Sequence, residues 1–426
     1  MQKNEKKAYP LALALIISLF FLWALTSNLL PSLIPHLKKA CRLDDLQSAF
    51  IDSAYWIAYF FIAIPAALVM RKFSYKTGII AGLVIAAIGA LLFYPAAETR
   101  QFSVFLGALF LMAAGMTFLE TAANPYITIL GDEKTASQRL NFAQAFNGLG
   151  AFVAAFFLSK MILSGTVHSD ETLNAMTPDA LNAYLNSEAE RVKLPYLGIA
   201  LVLLLVAALF YFVRLPVVSE EKDDSIKIDT SVFRYRHFNN ALIAQFAYVG
   251  GQVCISSFFI RYSQFSADMA EKEATNYLGY LLLCFMIGRY VGAFLMKYIN
   301  PEKMLAVYSV INVLLLAYCV FIGGRMGVFA MMGVEFFMSI MFPTIFALGI
   351  KDLGRHTKMA SSFMVMAVVG GAIVPLALGY IARNVNMQMA YIVPLVCFIV
   401  VGWFGFRGYR IRNIAPAATL RTEEVA

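Results

Sequence analysis

Charged residues are scarce in this sequence. They make up 14% of its 426 residues, whereas soluble domains carry about 25%. Apolar residues make up 60%, and the mean hydropathy is +0.71. The low charge excludes an ordinary soluble domain, and the composition indicates an integral membrane protein.

Cysteine is also scarce. The five cysteines show neither CxxC nor zinc-ligand spacing, and four of them lie in apolar segments, where they are typical packing residues. The sequence has no GxxxxGK[ST] phosphate loop, which argues against an ATP-driven pump. It has no HExxH or GxSxG motif either, which argues against a membrane protease or lipase. We therefore expect no enzymatic activity, no metal and no organic cofactor.

Long apolar runs dominate what is present. A helix needs roughly 20 apolar residues to cross a bilayer, and charged or turn-rich breaks separate twelve runs of about that length. The first run follows MQKNEKKAYP and is too long for a signal-peptide core, so we interpret it as a retained helix. The predicted spans are 11–36, 49–70, 77–97, 102–130, 138–163, 194–214, 237–263, 273–296, 303–322, 327–350, 358–382 and 388–409.

The polar stretch 215–236 divides the spans into six and six. PYITILG at 125–131 in the fourth span matches PTIFALG at 343–349 in the tenth, and a charged loop follows each. Repeated halves with a substrate site between them are typical of transporters. The predicted organisation is a bundle over 1–214, a cytoplasmic linker over 215–236, a bundle over 237–412 and a cytoplasmic tail over 413–426.

Positive charge predicts the orientation of the chain. With the N-terminus inside, 22 of the 34 lysines and arginines fall on the cytoplasmic side and 11 on the outer side. This bias predicts that both termini are cytoplasmic. The net charge of +8 lies in short loops rather than on one face, so we do not expect nucleic acid as a partner.

Few charged residues lie within the spans. A charge at the bilayer centre costs about 2.5–3.5 kcal/mol on insertion scales, so it usually faces a cavity or a partner. Buried amides accompany these charges. The charged residues are Asp52, Glu120, Arg289 and Glu335, and the amides are Gln144, Asn147, Gln245 and Asn276.

Glu120 and two amides are expected at a similar depth. Glu120 lies about 18 residues into the descending fourth span, and Asn147 lies about nine residues into the rising fifth span. Gln144 is one helical turn before Asn147, on the same face. A carboxyl group beside two amides can exchange a proton and bind a polyol. The alternative is a protonated glutamate in a structural hydrogen bond between helices.

The other polar candidates leave alternatives open. Asp52 lies near the start of the second span, where it either couples protons or caps the helix. Glu335 couples, binds substrate or pairs with a basic residue such as Arg261. Arg289 lies in a GxxxG motif, which favours a structural clamp over a ligand. Gln245, Asn276 and Tyr262 are candidate sugar contacts, although such residues often only join neighbouring helices.

Several motifs resemble a known family. They include FLETAANPYITILG at 118–131, RLNFAQAFNGLGA at 139–151, FPTIFALGIKDLG at 342–354 and TKMASSFMVM at 357–366. These motifs resemble the major facilitator superfamily, within it the fucose–galactose–glucose:proton symporters, and among those the bacterial L-fucose permeases. The resemblance implies an all-α fold of twelve transmembrane helices in two pseudo-symmetric six-helix bundles. It also implies that Glu120 binds sugar and transfers protons, and that Gln144 and Asn147 line the sugar site.

The first span departs from the family pattern. The resemblance implies a second carboxylate there, in a segment that reads SNLLPSLIP in this sequence, and its position is occupied by Pro31. We hypothesise that Asp52 replaces the missing acid, with Glu335 as the competing candidate. If neither does, coupling rests on Glu120 alone or the coupling ion is Na⁺ rather than H⁺.

The sequence therefore predicts a secondary active sugar transporter. The expected activity is L-fucose:proton symport by alternating access, in the inner membrane of a bacterium, with a monomer as the working unit and the sugar and lipid bilayer as partners. Galactose, glucose, mannose and N-acetylglucosamine remain alternative substrates. An uncoupled facilitator and a sugar sensor are the alternative classes, although the tail is short for a signalling domain.

Overall fold

All regular structure in the described part of the chain is helical. The computed structural model describes residues 3–29, 33, 36–37, 40–43, 45–162, 172–173, 175–213, 215 and 228–411. Among them, ten helical stretches are long and apolar enough to cross a membrane. This confirms the predicted all-α membrane class. Most of the predicted linker and the whole predicted tail fall outside the described residues, and the predicted division into domains stays a prediction.

The helices follow the predicted order of spans. The first half contains α1 (Lys3–Ser27), α2 (Asp45–Lys72), α3 (Tyr75–Thr99), α4 (Phe102–Ile129), α5 (Ala136–Val153), α6 (Pro178–Glu190) and α7 (Lys193–Phe212). The second half contains α8 (Arg236–Ala267), α9 (Glu271–Leu295), α10 (Pro301–Phe321), α11 (Gly324–Met338), α12 (Met341–Gly349), α13 (Thr357–Met366), α14 (Gly370–Asn384), α15 (Met387–Ala390) and α16 (Ile392–Trp403).

Some spans are less regular than the hydropathy pattern suggests. The tenth span is divided into α11 and α12, and the eleventh into α13 and α14. The fifth span continues beyond α5 through a π-helical turn, Ala154–Leu158. The segment between the fifth and sixth predicted spans contains α6, whose first turn is capped by Thr177 and begins with Pro178. The hydropathy pattern did not predict α6, because this helix contains few apolar residues.

The sequence repeat corresponds to a structural repeat. The helices α4 and α12 each end at the glycine of the repeated motif or just before it, and a single 3₁₀ turn then leads into α5 or α13. Gly131 has a φ of 111°, in the left-handed region that favours glycine. The two halves therefore place equivalent turns on one side of the membrane. We call this side, predicted to be cytoplasmic, the inner side.

Glycines allow the backbones of α3 and α4 to approach closely. A Cβ atom at Gly115 would lie 2.4 Å from the backbone nitrogen of Ala86, and one at Gly89 would lie 2.4 Å from that of Met112. Close backbone approach through small residues is a common way for helices to associate in lipid. These contacts make α3 and α4 a tightly packed pair inside the first half.

The two halves meet through polar contacts on the inner side. Helix α5 packs on α9, and α13 packs on α2 and α4. Asn141 donates a 3.0 Å hydrogen bond from α5 to the Thr344 hydroxyl on α12. Lys351 lies 3.8 Å from Glu133 across the same boundary, in an exposed ion pair. These contacts close the inner side in this structure.

The end of the predicted linker is attached to the second half. Asp229 Oδ2 lies 2.5 Å from His356 Nδ1, in the turn before α13, and its Oδ1 accepts a 3.0 Å hydrogen bond from the backbone N–H of Ser231. Burial raises the pKa of Asp229, but hydrogen bonds from Ser231 and His356 outweigh it, so that the pKa lies below its ordinary value of 3.8.

We expect this attachment to fail only in acid. Because the pKa of folded Asp229 is lowered, its ionised form stabilises the contact above about pH 4, and that stabilisation is lost as pH falls through the lower, folded value. Asp229→Asn is therefore expected to speed amide exchange at Ser231 several-fold at pH 7, measured by mass spectrometry. The ratio of variant to wild-type rate should approach one well below pH 4. A ratio that is the same at both pH values would contradict this.

Candidate functional site

Glu120 lies on α4 inside the first half, where only 6% of the residue is exposed. The hydroxyl of Tyr59 on α2 interacts with its carboxyl group, while Glu120 Oε2 has no hydrogen-bond partner in the protein. The Trp23 indole on α1 donates a 2.6 Å hydrogen bond to the Tyr59 hydroxyl. Three helices thus position one carboxyl group through an aromatic hydrogen-bond network.

A narrow cavity adjoins Glu120. Its volume of about 10 Å³ for water centres is room for about one water molecule, far less than a hexose needs. Helices α1, α4 and α5 must therefore separate before a sugar can enter. The cavity is lined by Leu19, Phe20, Trp23, Leu119, Glu120, Ala123 and Gln144.

One of the two predicted amides, Gln144, lies beside this carboxyl group, and the other, Asn147, follows it by one turn on α5. Gln144 and Asn147 are both buried on α5. Asn124 is buried too, and it lies on α4, one turn after Glu120. Gln144 Nε2 donates a 3.1 Å hydrogen bond to Asn124 Oδ1. Gln144 also lines the cavity next to Glu120, so the structure brings these predicted residues together.

Arg289 crosses from the second half to the amides of the first. Its Nη1 donates to the Gln144 backbone oxygen at 2.7 Å, to Gln144 Oε1 at 3.2 Å and to Asn147 Oδ1 at 3.2 Å. Its Nε donates to the Ser339 carbonyl at 3.2 Å. That carbonyl lacks its helical donor because Pro343, four residues later, has no N–H. The prediction of a structural clamp therefore describes only part of what Arg289 does.

Glu335 lies on α11 and is almost fully buried. Its Oε1 accepts a 3.0 Å hydrogen bond from the Ser256 hydroxyl on α8. It interacts electrostatically with Arg289 but is not among the ion pairs found within 4.0 Å in the described residues. Arg261, the basic partner considered from the sequence, instead lies on the ring of Phe258. Glu335 therefore belongs to the same polar region as Arg289.

The remaining predicted residues are more scattered. Gln245 on α8 is fully buried, and both of its side-chain polar atoms lack partners in the protein. Asn276 is exposed near the start of α9. The Tyr262 hydroxyl donates to the Cys319 carbonyl at 2.9 Å, and its ring contacts Tyr391, so its described contacts are packing contacts of the second half. Asp52 lies on α2, but its side chain is outside the described residues.

Several polar atoms on the two helices that carry Glu120 and Gln144 are buried without a partner in the protein. Leaving such an atom unpaired costs about 1–3 kcal/mol, so a cluster of them points to a ligand or water in the working cycle. These atoms are Glu120 Oε2, Thr121 Oγ1, Asn124 Nδ2, Asn141 Oδ1 and Asn147 Nδ2. They all lie on α4 and α5.

Sequence reasoning missed some of these residues. Asn124 belongs to the same LETAANP segment as Glu120 and follows it by one turn, which was a usable signal. Tyr59 and Tyr55 are also one turn apart, and the Tyr55 hydroxyl donates to Ser27 on α1 at 2.7 Å. Aromatic residues are so frequent in membrane helices that their sequence positions alone did not single them out.

The fold and the site define a class of protein. Two repeated helical halves meet at a buried polar cluster with unpaired hydrogen-bonding atoms, which is the arrangement of a membrane transporter with a site at its midplane. The sequence matches the Major Facilitator Superfamily over residues 15–375. The chain belongs to this superfamily, as its motifs predicted.

Individual relatives are similar over nearly the whole chain. The sequence is 42% identical over 420 residues to the L-fucose-proton symporter of Escherichia coli, with 96% of each chain covered. It is 38% identical over 410 residues to a glucose/galactose transporter of Brucella abortus, again with 96% of each covered. The crystal structure of FucP, a superfamily transporter in the outward conformation, matches with a TM-score of 0.88 and 41% identity, covering 94% of this chain and 99% of that one. These relatives are transporters rather than enzymes.

Proposed function

We propose that this protein is a secondary active sugar transporter, with L-fucose:proton symport as its activity. The observation that carries the proposal is Glu120, a buried carboxyl group with an unpaired oxygen, which shares a cavity with the amide of Gln144; Asn147 lies one turn further along the helix of Gln144. A carboxyl group in that position can bind a hydroxyl and exchange a proton. The named activities of two relatives, fucose-proton symport and glucose/galactose transport, agree with a hexose as substrate.

The site is suited to a polyol because it offers both donors and acceptors. Asn147 Nδ2 and Asn124 Nδ2 are free to donate to sugar hydroxyls, while Glu120 Oε2 can accept from one or, when protonated, donate to one. Trp23 adds a flat apolar face at the cavity wall. A sugar has hydroxyl edges and an apolar face, so this mixture fits its chemistry.

Coupling requires that the sugar bind differently to the two charge states of the protein. In the proposed cycle, protonated Glu120 binds sugar from outside. Release of the proton to the inside then leaves an ionised carboxylate, which weakens the site and frees the sugar. Glu335 and Asp52 remain the candidates for a second coupling acid. Glu335 has described contacts, namely a hydrogen bond from the Ser256 hydroxyl and an electrostatic interaction with Arg289, whereas the side chain of Asp52 lies outside the described residues.

The structure is consistent with an outward-facing or occluded state. The contacts described between the halves, such as Asn141 with Thr344, close the inner side. The FucP structure that it resembles was solved in the outward conformation. We therefore propose inward opening as the step that releases the sugar, with both termini cytoplasmic and the protein in the bacterial inner membrane.

Reconstituted vesicles test the proposal directly. The purified protein would be incorporated into liposomes, and the uptake of labelled L-fucose, D-galactose, D-glucose and N-acetylglucosamine would be followed with external pH, with and without Na⁺. The expected result is uptake of L-fucose with alkalinisation outside and no Na⁺ requirement. Preference for another sugar would assign the alternative substrate. Sodium-dependent uptake would reject proton coupling, and uptake without ion movement would favour a facilitator.

A further inference from the structure

We propose that the hydrogen bonds from Arg289 to Gln144 and Asn147 hold the inner side closed, and we call this set of contacts the lock. A bound sugar releases the lock by forming hydrogen bonds to the same two amides. In the sugar-free protein, Arg289 joins the halves through Gln144 and Asn147. The proposal deepens the transport function proposed above and relies on it for the identity of the ligand. It assigns Arg289 a positioning role that the clamp prediction did not include.

The guanidinium of Arg289 makes hydrogen bonds across the boundary between the halves. Its Nη1 donates to three oxygens on α5, all in the opposite half, at 2.7–3.2 Å. The guanidinium lies 4.6 Å from the centre of the Phe285 ring, in its own helix, which helps to fix its orientation. Only 6% of Arg289 is exposed. A motion that separates α5 from α9 must break these bonds, and a buried cation is costly to leave unpaired.

Arg289 and a bound sugar would compete for the same amide oxygens. Gln144 Oε1 and Asn147 Oδ1 are the side-chain acceptors that Arg289 occupies. The same oxygens are the acceptors that these residues would offer to sugar hydroxyls. A sugar that binds them must therefore displace Arg289 or share them with it. Sugar binding and the joining of the halves become alternative uses of one pair of amides.

A second partner for Arg289, the carboxyl group of Glu335, lies within its own half. Glu335 interacts electrostatically with Arg289 but does not touch it in this structure. Ser256 holds the Glu335 carboxyl on the α8 side. Once displaced from the amides, the guanidinium therefore has an acidic partner on the same side of the boundary. That exchange of partners would let the halves part without leaving the charge unpaired.

The lock gives the symporter a property that Glu120 alone does not provide. If sugar binds only to protonated Glu120, sugar cannot cross without a proton. A separate device must stop a proton from crossing without sugar. Arg289 does this by holding the inner side closed until the sugar has occupied Gln144 and Asn147.

Accessibility of the inner side is the direct test. Ser362 on α13 is fully buried, and its hydroxyl has no partner in the protein. It lies one helical turn after Lys358, whose amine lies over the ring of Tyr75 in the first half, so it is close to the boundary between the halves. Ser362→Cys, in a protein whose five native cysteines are replaced by alanine, would be labelled in inside-out vesicles with a membrane-impermeant maleimide. Arg289→Gln in this background is expected to raise the labelling rate roughly tenfold, because charge-assisted bonds between the halves are lost.

Matched variants separate a lock from a merely structural residue. Arg289→Lys keeps the charge but loses the forked geometry, so it should label at an intermediate rate. Arg261→Gln removes an exposed arginine of the same half, which lies over Phe258, and should leave labelling unchanged. Unchanged labelling in Arg289→Gln would overturn the proposal. If that variant does not reach the membrane, Phe285→Ala loosens the same guanidinium and must raise labelling instead, and its failure to do so would equally overturn the proposal.

Proton leak provides a second readout. Liposomes with an imposed pH gradient and no sugar should lose the gradient several-fold faster with Arg289→Gln than with wild type or Arg261→Gln. Equal leak rates would contradict the lock. The labelling and proton-leak assays need no sugar. A wild-type protein that transports none of the tested sugars would therefore overturn the proposed substrate, but the two assays would still test whether Arg289 holds the inner side closed. In wild type, the sugar identified by uptake should raise labelling, and no change would overturn the competition.

Discussion

Glu120→Gln is expected to abolish the accumulation of sugar while retaining exchange across the membrane. Glutamine keeps the size of the side chain and can still hydrogen-bond to hydroxyls, but it cannot release a proton. In energised vesicles, the ratio of internal to external sugar should fall to about one, and sugar-dependent alkalinisation should disappear. Exchange of labelled for unlabelled sugar, which needs no net proton movement, should continue at a measurable rate. Both assays would be made on the same reconstituted sample.

Glu188 offers a matched control. It is the other buried glutamate of the first half among the described residues, with 2% of the residue exposed, and it lies on α6, away from the residues that line the cavity. Glu188→Gln should keep full accumulation. If Glu120→Gln still accumulated sugar against a gradient, coupling would have to reside in Glu335 or Asp52. If it lost exchange as well, a structural role for Glu120 would be favoured.

Gly115→Leu is expected to prevent stable folding of the first half. A side chain at this position meets the backbone nitrogen of Ala86 at 2.4 Å and the carbonyl of Gly82 at 2.5 Å, and neither backbone atom can move without separating α3 from α4. Overpacking of a core typically costs about 1–3 kcal/mol, and a clash with backbone should lie at or beyond the upper end. We expect little monodisperse protein after extraction in mild detergent. Any recovered protein should have a strongly reduced Tm.

Gly107 on the same helix is the control for this substitution. A Cβ atom there meets no other atom within 4 Å, so Gly107→Leu adds the same side chain to α4 at an open position. It should express and melt like wild type. Equal yields and equal Tm values for the two leucine variants would show that the close approach of α3 and α4 does not limit stability.

The sequence predicted the helices well because a bilayer imposes a simple requirement. Each span must be apolar over a fixed length, and that length can be counted directly along the chain. Depth can be counted in the same way, which is why Glu120, Gln144 and Asn147 were expected at similar levels before their contacts were known. Breaks such as Ser339–Ile340 were missed, since hydropathy averages over a whole span and is insensitive to hydrogen bonding within it.

Contacts between the halves were harder to predict. They depend on how each helix is rotated about its axis and on how two bundles far apart in sequence face each other, and neither is encoded in local composition. The sequence indicated how deep in the membrane Arg289 lies, but it did not indicate that Arg289 contacts Gln144, which lies 145 residues earlier in the chain. The contacts of Tyr262 were also not predictable from its position in the sequence. Its aromatic ring suggested a sugar platform, while its hydroxyl is used in packing against Cys319.

The proline in the tenth span has a consequence for the motion of that helix. Because Pro343 cannot donate to the Ser339 carbonyl, the ladder between α11 and α12 already lacks one bond, and a side chain from α9 supplies the replacement. Bending at this point therefore breaks fewer backbone bonds than bending elsewhere in the span. When Arg289 moves away from the Ser339 carbonyl, this replacement bond between α9 and the break is lost. Helix α12, with Thr344, can then move relative to α11, which carries Glu335. One arginine therefore both joins the two halves and stiffens a hinge within the tenth span.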